Sequence, residues 1–132
     1  MTRQQTIALG LLGAAIWFIA AMFIRFALSF GWLDGSLLTL LVFAGSLPTA
    51  AISIELAHRL VGGRAGRRIH TAAVISLVGL LLDGIAITWT STLYSPDRAA
   101  ISFGGAWLLW TVGLTLTWAL IRDAASTESA TA

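Results

Sequence analysis

The stretch Thr6–Ile24, TIALGLLGAAIWFIAAMFI, decides how the rest of the chain is read. It carries no charge, and a helix needs about 20 predominantly apolar residues to cross a hydrocarbon core. Its apolar residues cover every side of a helix, the mark of a segment surrounded by lipid or protein. Arg25 ends the run. A secretory leader also opens with a basic residue and an apolar core, but that core is usually about 7 to 15 residues, and Ile19-Ala20-Ala21 makes a poor cleavage site. The reading is an uncleaved helix reaching about Ser29.

The same pattern recurs outward from this run. Spans are predicted at about 6–29, 37–60, 71–90 and 99–121, joined by a turn with Gly31 and Gly35, a loop in which three glycines and three arginines mix (Gly62 to Arg68), and a turn marked by Ser95-Pro96-Asp97. The expected fold is all-α, a single integral-membrane four-helix bundle. Residues 122–132, rich in Ser, Thr and Ala, lack large apolar side chains and read as a disordered tail. The two halves are each a helical hairpin, yet their acidic residues and prolines do not superimpose as a repeat.

Composition agrees. Of 132 residues, 58% are hydrophobic and only 11% charged, with a mean hydropathy of +0.88; soluble domains carry about 25% charge. The basic balance comes from eight arginines and no lysine, for a formal charge of +2. They lie mainly outside the apolar runs, without the basic face of a soluble nucleic-acid binder, so no nucleic-acid partner is expected. With no cysteine, disulfides, thiolate metal sites and cysteine nucleophiles are excluded.

The arginines set an expected orientation, because basic residues in short loops stay on the cytoplasmic side. Arg59, Arg64, Arg67 and Arg68 flank the middle loop, and Arg3 and Arg122 fall on that same side in a four-span chain. Both termini and that loop are therefore predicted cytoplasmic, in a bacterial inner membrane, with Arg25 and Arg98 outside. Arg64, Arg67 and Arg68 are expected to meet anionic lipid headgroups. Trp32, Trp89 and Tyr94 fit an aromatic belt at the outer interface.

Asp83 is the sharpest feature within the spans. A carboxylate there costs several kcal/mol unless it is protonated or paired, so it must face protein or water. Ser76, Gly79, Asp83, Ala86 and Thr90 share one small, polar helical stripe. Asp83 reads either as a proton or cation site or as a buried partner of Arg25, which also lies in the outer half of its span; Arg25 alternatively snorkels to the interface.

Glu55 and Arg59 stand in the favourable order for an i,i+4 ion pair. His58 and His70 bracket the middle loop but lack the spacing of a metal motif, so neither a metal nor another cofactor is expected. Pro48 removes the helical donor to the Ala44 carbonyl and predicts a kink. It could line a cavity with Trp107, Thr111, Thr115 and Trp118, which share a face of span four; packing is the simpler role for all five. Gly10 with Ala14, and Gly104-Gly105, offer surfaces for close helix approach.

Three segments carry a resemblance: LLLDGIAITW (Leu80–Trp89), Tyr94-Ser95-Pro96-Asp97, and FGGAWLLWTVGLTL (Phe103–Leu116). They resemble an uncharacterised family of small four-span bacterial membrane proteins defined only as a domain of unknown function. The likeness covers about half the chain and implies four helices, an acidic residue in span three and no assigned activity. This chain departs from the pattern in Ser95, between Tyr94 and Pro96, and in Asp97 where an amide is more usual. Small multidrug exporters are of similar size, but they share a glutamate in span one, and span one here has no carboxylate.

Two functions follow as expectations. The first is a non-enzymatic structural or accessory bundle, a homo-oligomer or the companion of another membrane protein. The second is a small proton-coupled transporter or channel using Asp83. A membrane enzyme ranks below both, because no nucleophile, base and oxyanion donor assemble from these residues.

Overall fold

The computed structural model describes residues 3–62 and 67–131, with side chains as far as residue 128. The described residues form four helices, α1 (Arg3–Ser29), α2 (Leu37–Leu60), α3 (Arg68–Trp89) and α4 (Arg98–Thr131), and one 3-10 turn at Ser91–Leu93. Each of the four is long and apolar enough to cross a membrane. Arg64 lies outside the described residues.

The ends of these helices follow from local chemistry. Gly31 adopts a left-handed φ of +68°, which lets the Trp32 and Gly31 amides reach back to the carbonyls of Ala27 and Leu28 and close the last turn of α1. Asp97 opens α4 by accepting the Ala99 amide on Oδ1 at 2.9 Å. The start of α3 is capped from elsewhere in the molecule: the Asp123 carboxylate on α4 accepts the Arg68 and Ile69 amides at 3.0 and 2.9 Å. Two of the donors that a helix start leaves orphaned are thereby satisfied.

That cap corrects the reading of residues 122–132 as a disordered tail, because α4 continues through them to Thr131. Alanine favours helix, and the extension is anchored by Asp123 and by Ser126, which lies 3.4 Å from Arg68 Nη1.

Packing does not follow chain order. The main contacts are α1 on α3, α2 on α4 and α3 on α4, while the consecutive helices α1 and α2 lie largely apart. Partners joined between α1 and the α3 segment, and between α2 and α4, are separated by a nearly constant distance in sequence. Trp17 meets Asp83, Arg25 meets the carbonyls of Thr92 and Leu93, the Phe43 carbonyl meets Trp110, and Glu55 meets Arg122, at spacings of 66 to 68 residues. Two hairpins of equal length are therefore laid one on the other in register, α1 parallel to α3 and α2 parallel to α4.

Two glycines permit the close approaches. A Cβ at Gly13 would stand 3.2 Å from the Ile75 backbone, and one at Gly104 would stand 2.8 Å from Ile24 Cγ2. Of the small residues expected at helix contacts, Gly104 serves and Gly10 faces open space; Gly13 takes its place. The buried side chains form two clusters. One, at the end where the two short turns lie, holds Ala21, Ile24, Ala86, Tyr94, Ile101, Trp107 and Leu108. The other, toward the α2–α3 loop, holds Leu9, Ile54, Ala57, Ala72, Ile75 and Ala119. We call these the turn end and the loop end.

Candidate functional site: a carboxylate held by two neutral donors

Asp83 sits on the buried face of α3 with Thr71, Ala72, Ile75, Ser76 and Ala86. It is 7% exposed, as a carboxyl group among apolar helices must be. Its Oδ1 accepts two short hydrogen bonds, from Trp17 Nε1 of α1 at 2.7 Å and from the Tyr94 hydroxyl at 2.6 Å. Tyr94 reaches this position because the 3-10 turn after α3 folds back over the helix end, leaving its side chain 3% exposed. Among the described residues Oδ2 makes no hydrogen bond and no cation lies in ion-pair range of the carboxyl group.

Arg25 does not pair with Asp83. Its Nη1 donates to the carbonyls of Thr92 and Leu93 at 3.3 and 3.1 Å, so an exposed guanidinium pins the same turn from above. Both expected partners thus act on one element, Asp83 through Tyr94 and Arg25 through the backbone. Tyr94 belongs to this interior site and not to an aromatic belt, whereas Trp89 is 75% exposed at the end of α3.

The loop end gathers the remaining charges. Arg68 Nε donates to both oxygens of Glu55 at 3.0 and 3.2 Å, and its Nη1 lies 3.7 Å from Asp123. Arg122 Nε reaches Glu55 at 3.2 Å and its guanidinium stands 6.0 Å over the Trp118 ring. This replaces two expectations. Glu55 is bound by α3 and α4 instead of by Arg59 one turn along its own helix, and Arg59 is exposed. Arg68 is turned inward and spent on two carboxylates, so of the arginines assigned to lipid headgroups Arg67 alone is described as exposed. His58 is buried with Nδ1 3.0 Å from Thr71 Oγ1, while His70 is exposed.

The expected slot along α4 is not assembled. α2 stays helical through Pro48, which lies on the exposed side together with Ala44, Gly45 and Thr49. Thr111 and Thr115 donate to the Leu108 and Thr111 carbonyls of their own helix. Trp107 packs on Phe23, ring centroids 5.0 Å apart. Pro48 therefore faces away from the side chains it was expected to join.

Sequence reasoning missed Trp17, Tyr94 and Asp123 as site residues. The signal in the sequence was chemical and did not name them: a buried carboxyl group requires N–H or O–H donors. The chain matches no family model, no curated protein and no solved structure.

Proposed function

We propose that the chain is a non-enzymatic structural or accessory bundle of a bacterial inner membrane, with both termini and the α2–α3 loop in the cytoplasm. The observation that carries the reading is the use made of Asp83 and Arg25, whose hydrogen bonds join α1, α3 and the turn after α3. Ionisable groups in membrane spans mark transport paths or hold helices together; these two hold helices together. The exposed Arg59 and Arg67 support contact with anionic headgroups at the cytoplasmic face. A homo-oligomer or a membrane partner suits a bundle whose outer surfaces are apolar.

One feature favours the second reading, a proton-coupled transporter or channel. Asp83 has only neutral donors among the described residues, so it can take up a proton without breaking an ion pair. Reconstitution into liposomes separates the two. The structural reading expects no protein-dependent decay of an imposed pH gradient. Proton flux that Asp83→Asn abolishes in a variant that remains folded would replace it with the transporter. Orientation is tested in parallel, since the chain has no cysteine: Arg67→Cys should be labelled from the cytoplasmic side alone, and Arg98→Cys from the opposite side.

A further inference from the structure

Asp83 takes both of its donors on one oxygen. Oδ1 accepts Trp17 Nε1 and the Tyr94 hydroxyl, and Oδ2 accepts nothing among the described residues. A proton would therefore add to Oδ2, because the lone pairs of Oδ1 are already directed at two hydrogens. Tyr94 is the one other titratable group bonded to it. The apolar cluster at this end brings up Trp17 and Ile24 from α1, Val42 and Phe43 from α2, and Trp107 and Leu108 from α4, none of which titrates. The charged side chains of the turn end, Arg25, Asp34, Asp97 and Arg98, are all exposed, and none forms an ion pair with Asp83.

The turn after α3 thus has two fastenings of different kinds. Arg25 Nη1 holds it by the carbonyls of Thr92 and Leu93, and a guanidinium keeps its proton throughout the range in which proteins fold. That contact is constant. The Asp83 contact is not, because a carboxylate accepts hydrogen bonds about twice as strong as those of a neutral acceptor. A proton on Oδ2 turns Oδ1 into a neutral carbonyl oxygen. The bonds from Trp17 and Tyr94 weaken together, since they share that acceptor.

We propose that Asp83 is a proton-operated latch on the turn after α3. Ionised, it holds the buried Tyr94 and keeps the turn closed; protonated on Oδ2, it releases the phenol and leaves the turn to the Arg25 contacts. The latch rests on the reading of Asp83 as the joint between α1 and this turn, and adds the condition under which the joint lets go. The chemical change is a single O–H bond formed with a proton from water, and no other side chain gives one up. Closure has its own reporters: the Leu93 amide bonds to the Thr90 carbonyl, and the Tyr94 and Ser95 amides bond to that of Ser91.

The test follows hydrogen exchange of those three amides in the full chain in phosphatidylcholine nanodiscs, corrected for the intrinsic pH dependence of exchange. The range runs from about pH 8 to about pH 4 and spans ordinary carboxyl titration. Exchange should rise about tenfold on acidification, as two hydrogen bonds to an ion become bonds to a neutral acid. The Trp17 indole N–H resonance, identified by its loss in Trp17→Phe, should move with the same midpoint. Asp83→Asn should hold both readings flat. Tyr94→Phe should exchange fast at every pH while the Trp17 resonance still titrates. Native exchange that ignores pH, or a pH response that Asp83→Asn retains, overturns the latch. Should Asp83→Asn fail to fold, Tyr94→Phe decides, because a turn response that survives without the phenol overturns it too. Failure of the joint itself reads differently: Tyr94→Phe would then exchange no faster than the native protein at any pH.

Discussion

The turn end and the loop end of the bundle solve one problem in opposite ways. At the loop end two arginines and two acids neutralise one another: Arg68 bridges Glu55 and Asp123, and Arg122 adds to Glu55. At the turn end the single buried carboxyl group is held by an indole N–H and a phenol O–H, and the nearby guanidinium is given to backbone carbonyls. The difference follows burial. The paired side chains at the loop end are 12–47% exposed and keep some hydration, whereas Asp83 is 7% exposed, and there a second charge would have to be desolvated as well.

Asp83→Leu removes the acceptor of two buried donors and should lower stability by roughly 2–4 kcal/mol, since each orphaned donor costs about 1–3; unfolding of the purified protein in mixed micelles measures it. Asp83→Asn keeps one acceptor oxygen and should lose less than half as much. Arg68→Met should cost about 2–3 kcal/mol, because it leaves Glu55 with Arg122 as its one cation and Asp123 with the two α3 amides and no cation. Its side chain is 14% exposed, so part of this cost is screened by water and should shrink as salt is added. The Asp83 variants should show no such salt dependence.

How much of this was legible in the sequence depended on range. The spans could be read because lipid imposes length and hydrophobicity on each helix separately, and Asp83 because a carboxyl group in such a run is conspicuous. Its donors could not. Trp17 reads as one more apolar residue of the opening run, and only the parallel stacking of α1 on α3 brings it to Asp83. Glu55 misled for the reason that Trp17 hid: Arg59 is the nearest partner by the local i,i+4 rule, and Arg68 and Arg122 become neighbours only when α3 and α4 fold against α2. Residues 122–128 were misread because a Ser, Thr and Ala composition permits either state, and the choice is made by Asp123 capping a helix that lies 55 residues away in the chain.

Gly104→Leu should cost about 1–3 kcal/mol through overpacking against Ile24 at the turn end, while Gly10→Leu, with open space around it, should be nearly neutral; the same unfolding assay compares them. The least effect is expected at Asp34, in the exposed turn after α1. The Ser36 hydroxyl and amide hold its carboxyl below the ordinary value of 3.8. Its contribution is present above that value and is lost as pH falls through the lowered one. A carboxyl chemical-shift titration should place its midpoint below 3.8, and a midpoint above that would exclude the hydrogen bonds from Ser36.

The central claim is that Asp83 acts by joining α1 and the α3–α4 turn, and a double-mutant cycle between Asp83→Leu and Tyr94→Phe measures it most directly. The claim predicts that Tyr94→Phe destabilises the native protein and costs at least about 1 kcal/mol less once Asp83 is gone. Losses that add to within about 0.3–0.5 kcal/mol would contradict it, because the phenol and the carboxyl group would then stabilise the bundle independently.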